Sequence, residues 1–264
     1  MDNGGSATKT ERRGGLEVWA PSVTPPGVDL TDEQKLACAF RILAKEDFAE
    51  NMAGHITWQR PGHDELLVNP WGLWWREVAA SDICAVDADA RVVAGKWDVT
   101  PAIHIHTELH RRRPDARVVI HNHPYHTCVM AAAGLLPDLL HQQASLFMND
   151  LRMVREYTGE VDTAELGADL AEMIGDANTV ILANHGVIIT GATVEEAVYR
   201  AATIDRTCRM AYDVLQLNAL GHPTLAMDPG MMKGMQSSLI ERAADIYFAG
   251  AARMLVRAEP DVLA

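Results

Sequence analysis

Residues 117–124 read Arg-Val-Val-Ile-His-Asn-His-Pro, and residues 179–190 read Thr-Val-Ile-Leu-Ala-Asn-His-Gly-Val-Ile-Ile-Thr. The first stretch is a short, nearly continuous apolar run closed by proline, the pattern of a strand buried within a sheet. The second holds two such runs, with Asn184-His185-Gly186 between them. Side chains alternate along a strand, so His121 and His123 project to the same face, one repeat apart, and can share a metal ion. A third ligand must come from elsewhere, and His185, just after a buried strand, is placed for it. Three imidazoles with an open position describe a catalytic rather than a closed structural site. Imidazole suits Zn, Mn, Fe or Co, so the expected cofactor is a divalent metal of open identity.

Outward from this strand, Thr100-Pro101 opens a helix, because proline is tolerated at the first helical position. Arg111–Arg113 suit its negative end, and Pro114-Asp115 ends it. Ile103, His106 and His110 share one face of that helix, His104 and Glu108 another, and at most one face can look into the site. His106 is expected to line it, binding substrate or transferring a proton; solvated positions on an exposed helix are the other reading of His104 and His110.

Residues 54–58 and 66–68, parted by Pro61-Gly62-His63-Asp64, predict a β-hairpin. Residues 83–86 predict another strand, with a turn at 87–90. Thr31 is the expected cap of a helix that begins after Leu30, and residues 163–174 and 194–217 are expected helices. After a break at Gly221-His222-Pro223 come a methionine-rich stretch and a helix near 236–257. The expected organisation is an extended arm over 1–29, a metal-binding domain over 30–222 and a helical extension over 223–264. Interspersed strands and helices give an α/β or α+β three-layer domain.

Composition sets limits on function. The 264 residues are 48% hydrophobic and carry a net charge of −13, which excludes a disordered chain and disfavours binding to nucleic acid or an anionic membrane. Four dispersed cysteines, no membrane-length apolar run and no signal-peptide h-region point to the cytoplasm. Six of the 11 histidines fall between His104 and His126, which is where chemistry is expected.

His121-x-His123-Pro124, preceded by Arg113-Pro114-Asp115 and followed by Asn184-His185-Gly186, resembles the class II aldolase/adducin family. Gly54-His55-Ile56-Thr57 and Asn69-Pro70-Trp71-Gly72 are similar to two further family turns, and the resemblance covers roughly residues 30–220. It implies a three-layer αβα sandwich around a mainly antiparallel sheet. Members similar to L-fuculose-phosphate aldolase hold a divalent metal through three histidines, which fall here on His121, His123 and His185. The resemblance also implies a homotetramer with sites at subunit boundaries. The sugar-phosphate aldolases carry a glutamate base where this chain has Ala102, and their small polar phosphate-binding positions are replaced here by His55 and Trp71. A phosphorylated sugar is therefore not the expected substrate.

The chain resembles more closely a branch that lacks the same glutamate and decarboxylates hydroxylated aromatic acids. That branch includes the decarboxylases of 3-hydroxy-2-methylpyridine-4,5-dicarboxylate, from vitamin B6 degradation, and of dihydroxyphthalates. The implied activity is a metal-dependent carboxy-lyase acting on a hydroxylated pyridine or benzene dicarboxylate. Such a reaction needs an acid that protonates the ring carbon losing CO2, while a metal orients the ring and stabilises its charge. His106 is one candidate acid; another is His141, at or beside the family's proton-transferring tyrosine, which an adjacent subunit contributes. Tyr157 is a weaker option. Trp71, with Trp74 and Trp75, could wall a flat ring, though packing under the sheet is expected for at least two of the three. Arg76 is the cation assigned to a second carboxylate. The competing readings are an aldolase of a non-phosphorylated hydroxy-keto acid and an adducin-like scaffold without catalysis; the intact histidine set argues against the scaffold.

Overall fold

The computed structural model describes residues 9–13, 16–20, 24–156 and 159–264. Within the stretch expected to be an arm, β1 (Lys9–Arg13) pairs antiparallel with β2 (Leu16–Ala20). The first long helix, α1 (Asp32–Lys45), starts where the sequence predicts. The Thr31 hydroxyl accepts from the Gln34 N–H at 3.3 Å, while the Thr31 N–H donates to the Gln34 side chain at 3.0 Å, a reciprocal cap.

The predicted hairpin is β3 (His55–Gln59) and β4 (Leu66–Val68), followed by β5 (Cys84–Val86) and β6 (Val92–Ala94). A 3₁₀ turn at Pro101–Ile103 leads into α2 (His104–Arg112), and β7 (Val118–Asn122) is the histidine-bearing strand. Then come α3 (Tyr125–Ala133), β8 (Leu151–Val154), α4 (Ala164–Ile174), β9 (Thr179–Leu182), β10 (Gly186–Gly191) and the long α5 (Val194–Ala219). The chain closes with α6 (Pro229–Ser238) and α7 (Ala244–Ala258), joined by a π turn, so the single helix expected near 236–257 is two.

Eight strands form one sheet in the order β6-β5-β4-β3-β7-β10-β9-β8, antiparallel throughout except for the β8–β9 pair. Both faces are covered, which is why β7 and β10 read as unbroken apolar runs. Val118 and Ile120 of β7 and Val187 and Ile189 of β10 join the larger core with α1, α5 and α7. Val119 and Ile188 turn the other way, to Ile105 and Leu109 of α2 and Leu170 and Ile174 of α4. The result is the expected α/β sandwich of three layers around a mainly antiparallel sheet. His121 shares its face with Val119, so the alternation of β7 aims it toward the α2 layer.

No helix among the described residues is long and apolar enough to cross a membrane. The methionine-rich segment packs conventionally: Met232 is buried, and Gln236 of α6 donates to the carbonyls of Leu146 and Met148.

Candidate metal centre and active site

Three neighbouring strands meet at one end of the sheet. In β3 and β7, His55 lies opposite His121; β10, paired on the other side of β7, begins just after His185. The donor atoms of His121, His123 and His185 lie within 4.8 Å of one another. Their ring centroids form a near-equilateral triangle with sides of 4.9, 4.8 and 4.9 Å. Two glycines make this convergence possible. Gly54 sits at φ +83°, and a Cβ there would lie 2.5 Å from the His121 carbonyl oxygen. On Gly186 it would lie 2.5 Å from the Asn122 carbonyl and 2.6 Å from His123 Cδ2. Asn184, at φ +56°, makes the turn that brings His185 round.

The imidazoles are oriented from behind. His121 Nδ1 donates to the Val187 carbonyl at 3.0 Å, and His123 Nδ1 to the Glu50 carboxylate at 2.8 Å, which leaves both Nε2 atoms facing each other at 3.2 Å. Burial, together with His55, His185 and His123, holds the His121 pKa well below the usual imidazole range, against the Val187 carbonyl. Burial and then His123 lower that of His185 to about 4. Neutral rings with bare nitrogens are the form that binds metal. Two ligands of a tetrahedral ion at ordinary Zn–N distances stand about 3.3 Å apart, close to the 3.2 Å between His121 and His123, and His185 offers a third donor within 4.8 Å of both, so the three residues could hold a divalent cation.

A cavity of about 760 Å³ opens over these rings, bordered by Glu50, His55, Trp71, Trp74 and Ala102. Trp71 is 60% exposed and Trp74 49%, so both aromatic faces are available. Trp75 is wholly buried between Phe40 and Phe48, and its indole donates to the Gly54 carbonyl. Of the three tryptophans, only this one packs beneath the sheet, where at least two were expected to. Ala102 lines the cavity, so the position that carries a carboxylate in the sugar-phosphate aldolases belongs here to an apolar wall.

Three expected site residues stand elsewhere. His106 does not line the cavity; it is fully buried behind His55, its Nε2 2.5 Å from His55 Nδ1. Helical phase aims it at the right layer, but His55 on β3 takes the place in front. Arg76 follows the buried Trp75 and lines a separate cavity with Arg41, Lys45 and Glu259 on the α1 side, so it is not the cation of this site. His141 is also outside, 3.2 Å from the Thr207 hydroxyl of α5. Tyr157 lies outside the described residues. His110, read as a candidate solvated histidine, is buried against Thr57, and His126 pairs with Asp205. The sequence reading missed His55 as a cavity residue in its own right; its signal was the strand pattern of Gly54-His55-Ile56-Thr57, which sets His55 and Thr57 on one face. Glu50, in a loop, gave no signal.

A layered sheet buried on both faces carries three histidines that converge at the ends of its central strands and could hold a metal ion. Residues 34–212 match the family described as the Class II Aldolase and Adducin N-terminal domain, and the chain belongs to that family. It is 32% identical over 210 residues to Decarboxylase NovR of Streptomyces niveus, covering 75% of this chain and 76% of that protein. It is 30% identical over 215 residues to 3,4-dihydroxyphthalate decarboxylase of Arthrobacter keyseri, covering 75% and 82%. The L-fuculose 1-phosphate aldolase of Glaciozyma antarctica PI12 superposes with a TM-score of 0.75, covering 91% of this chain and 97% of that one. At 22% identity the likeness shows a shared fold alone. Family and relatives together make the chain a lyase-type protein with decarboxylase homologues.

Proposed function

We propose that the protein is a divalent-metal-dependent decarboxylase of a hydroxylated aromatic acid. Pyridine and benzene dicarboxylates such as 3-hydroxy-2-methylpyridine-4,5-dicarboxylate belong to that substrate class. The observation that carries the reading is the combination in one cavity of His121, His123 and His185 with two open tryptophan faces and an alanine at position 102. His121, His123 and His185 would hold the ion; bound there, a divalent metal supplies Lewis-acid stabilisation of negative charge on the substrate. Trp71 and Trp74 offer stacking surface that orients a ring, and they shed water from the mouth of the cavity. Ala102 offers no base to abstract a proton from carbon, which suits a reaction that delivers one instead. Glu50 orients His123 through its Nδ1 and adds negative charge beside the cation.

The same reading includes Mn or Zn as the preferred ion, a cytoplasmic setting and a homotetramer. In that homotetramer His141, which lies outside its own chain's cavity, would act from a neighbouring copy. The test is CO2 release from a panel of hydroxylated pyridine and benzene carboxylates by the metal-loaded protein. Turnover of one or more is expected. No turnover, with cleavage of a hydroxy-keto acid to an aldehyde and pyruvate, would establish the aldolase reading instead.

A further inference from the structure

One buried polar side chain beside the histidine triangle has no part in the decarboxylase reading. Alternation sets Asn122 on the face of β7 opposite to His121, the face on which Val118 and Ile120 join the larger core, and it is completely buried. A buried amide is costly unless its oxygen and its nitrogen are both bonded. Asn122 Oδ1 accepts from the Glu50 N–H at 3.0 Å and from the His123 N–H at 2.7 Å, and Nδ2 donates to the Ala53 carbonyl at 3.1 Å. Two N–H donors on one side and a carbonyl on the other fix which end of the amide is oxygen.

Two of those three partners are the two ends of one turn. Glu50, Asn51, Met52 and Ala53 all line the cavity, and the Ala53 N–H closes the turn on the Glu50 carbonyl at 2.9 Å. That internal bond leaves over the Glu50 N–H and the Ala53 carbonyl, and Asn122 takes both. The ladder between β3 and β7 stops at His55 opposite His121, so at this end of the sheet a side chain continues what the backbone leaves off. The same oxygen holds the His123 N–H, and the turn and the histidine-bearing segment share one anchor.

The turn bears on the site because it carries Glu50, whose carboxylate accepts from His123 Nδ1 at 2.8 Å. The Glu50 side chain is 51% exposed. A carboxylate–imidazole pair so open to water gains little by itself, because solvent weakens it and side-chain freedom opposes it. A backbone held at both ends of the turn leaves only the side-chain torsions to be ordered.

We infer that Asn122 is a positioning residue: it hangs the Glu50–Ala53 turn from β7 and thereby sets the Glu50 carboxylate on His123. Its influence on the ion runs through Glu50, and that part rests on the proposed metal centre; the anchoring of the turn does not. The run His121-Asn122-His123 then encodes two ligands and, between them, the support for the group that orients one of the two.

Backbone amide exchange in the metal-free full chain, followed in ¹⁵N–¹H spectra near neutral pH, tests the anchor. Glu50 is an exposed residue, so without Asn122 its N–H would exchange as in a free loop. Slowing of about tenfold or more is expected in the wild type, and its loss in Asn122→Ala. A free-loop rate in the wild type overturns the inference, as does protection that survives in Asn122→Ala. Should the variant not fold, the wild-type rate alone decides. Zinc titration calorimetry of the wild type, Asn122→Ala, Glu50→Ala and the double variant tests the route to the ion. Each single change is expected to weaken binding about tenfold, and the double variant to lie within about twofold of Glu50→Ala. A general loss of structure would not give that coincidence. Losses that multiply to about a hundredfold overturn the route through Glu50, as does wild-type affinity in Asn122→Ala. A wild type that binds no zinc overturns the proposed metal centre and the role of Asn122 toward it, while the exchange rates still judge the anchor. Neither measurement uses a substrate, so both are independent of the CO2-release assay.

Discussion

Replacing Gly186 by alanine probes the histidine triangle without touching a ligand. The added Cβ would lie 2.6 Å from His123 Cδ2 and 2.5 Å from the Asn122 carbonyl oxygen. Ordinary contact starts at 3.4 Å, so the ring must retreat by about 0.8 Å, whereas metal ligation tolerates displacements of only about 0.2 Å. The ring is also tied through Nδ1 to Glu50, so it cannot swing away freely. Affinity for Zn or Mn should therefore fall roughly 10- to 100-fold, the usual cost of disturbing what orients a ligand. Overpacking should also destabilise the metal-free fold by about 1–3 kcal/mol, a fall in Tm of roughly 2–12 °C. Gly167→Ala is the control: its Cβ would meet the His104 carbonyl at 2.5 Å, a like clash placed between α2 and α4, away from the triangle. Calorimetric metal titration and thermal melts in chelator separate the two. The control should lose stability but keep wild-type metal affinity. Wild-type affinity in Gly186→Ala would refute the reasoning, and so would equal losses in both variants, because affinity would then only be following stability.

Other outcomes follow from the same geometry. His123→Ala should abolish bound divalent metal, measured by elemental analysis after repletion, and catalytic activity with it; activity retained without metal would remove the ion from the mechanism. Trp71→Ala should raise KM for an aromatic acid about 2- to 10-fold with Tm unchanged, the worth of one stacking face. The buried histidines make the metal-free fold acid-sensitive. Burial lowers the pKa of His110 to about 4 and that of His55 to about 3, below the ordinary 6.5, so the unfolded chain binds more protons between those values. Stability is thus full above about pH 6.5 and falls as the pH drops toward 4, with about 3 kcal/mol from His110 alone. Denaturant melts in chelator across that range should show the slope, and His110→Asn should flatten it.

The legible parts of this molecule were those written in a period. The alternation of β7 places His121 and His123 together, and the apolar runs on either side of Asn184-His185-Gly186 bring His185 to the same end of the sheet. Helical phase likewise placed His106 toward the correct layer, but phase carries no depth, and the ring in front of it comes from β3, a neighbour in space and not in sequence. Trp71, Trp74, Trp75 and Arg76 sit in consecutive turns with no period, so which of them faces the cavity is set by tertiary packing: Trp75 is drawn between Phe40 and Phe48, and Arg76 is carried to the opposite side. The separation of His110 from solvent was equally unreadable, because a polar residue on an amphipathic helix is buried only when a partner such as Thr57 awaits it.

The three histidines lie in or beside the ends of strands β7 and β10, which become neighbours only when the middle of the sheet is assembled. The unfolded chain offers at most the His121–His123 pair, and the third nitrogen arrives when β10 lies against β7. A cation bound by all three therefore favours the folded state alone, adding about 2.7 kcal/mol when free metal stands a hundredfold above its Kd. On the proposed metal-dependent reading, metal supply would govern survival as well as chemistry: a cell short of the ion would hold fewer copies of the protein, because a fold weakened by that amount is cleared several times faster.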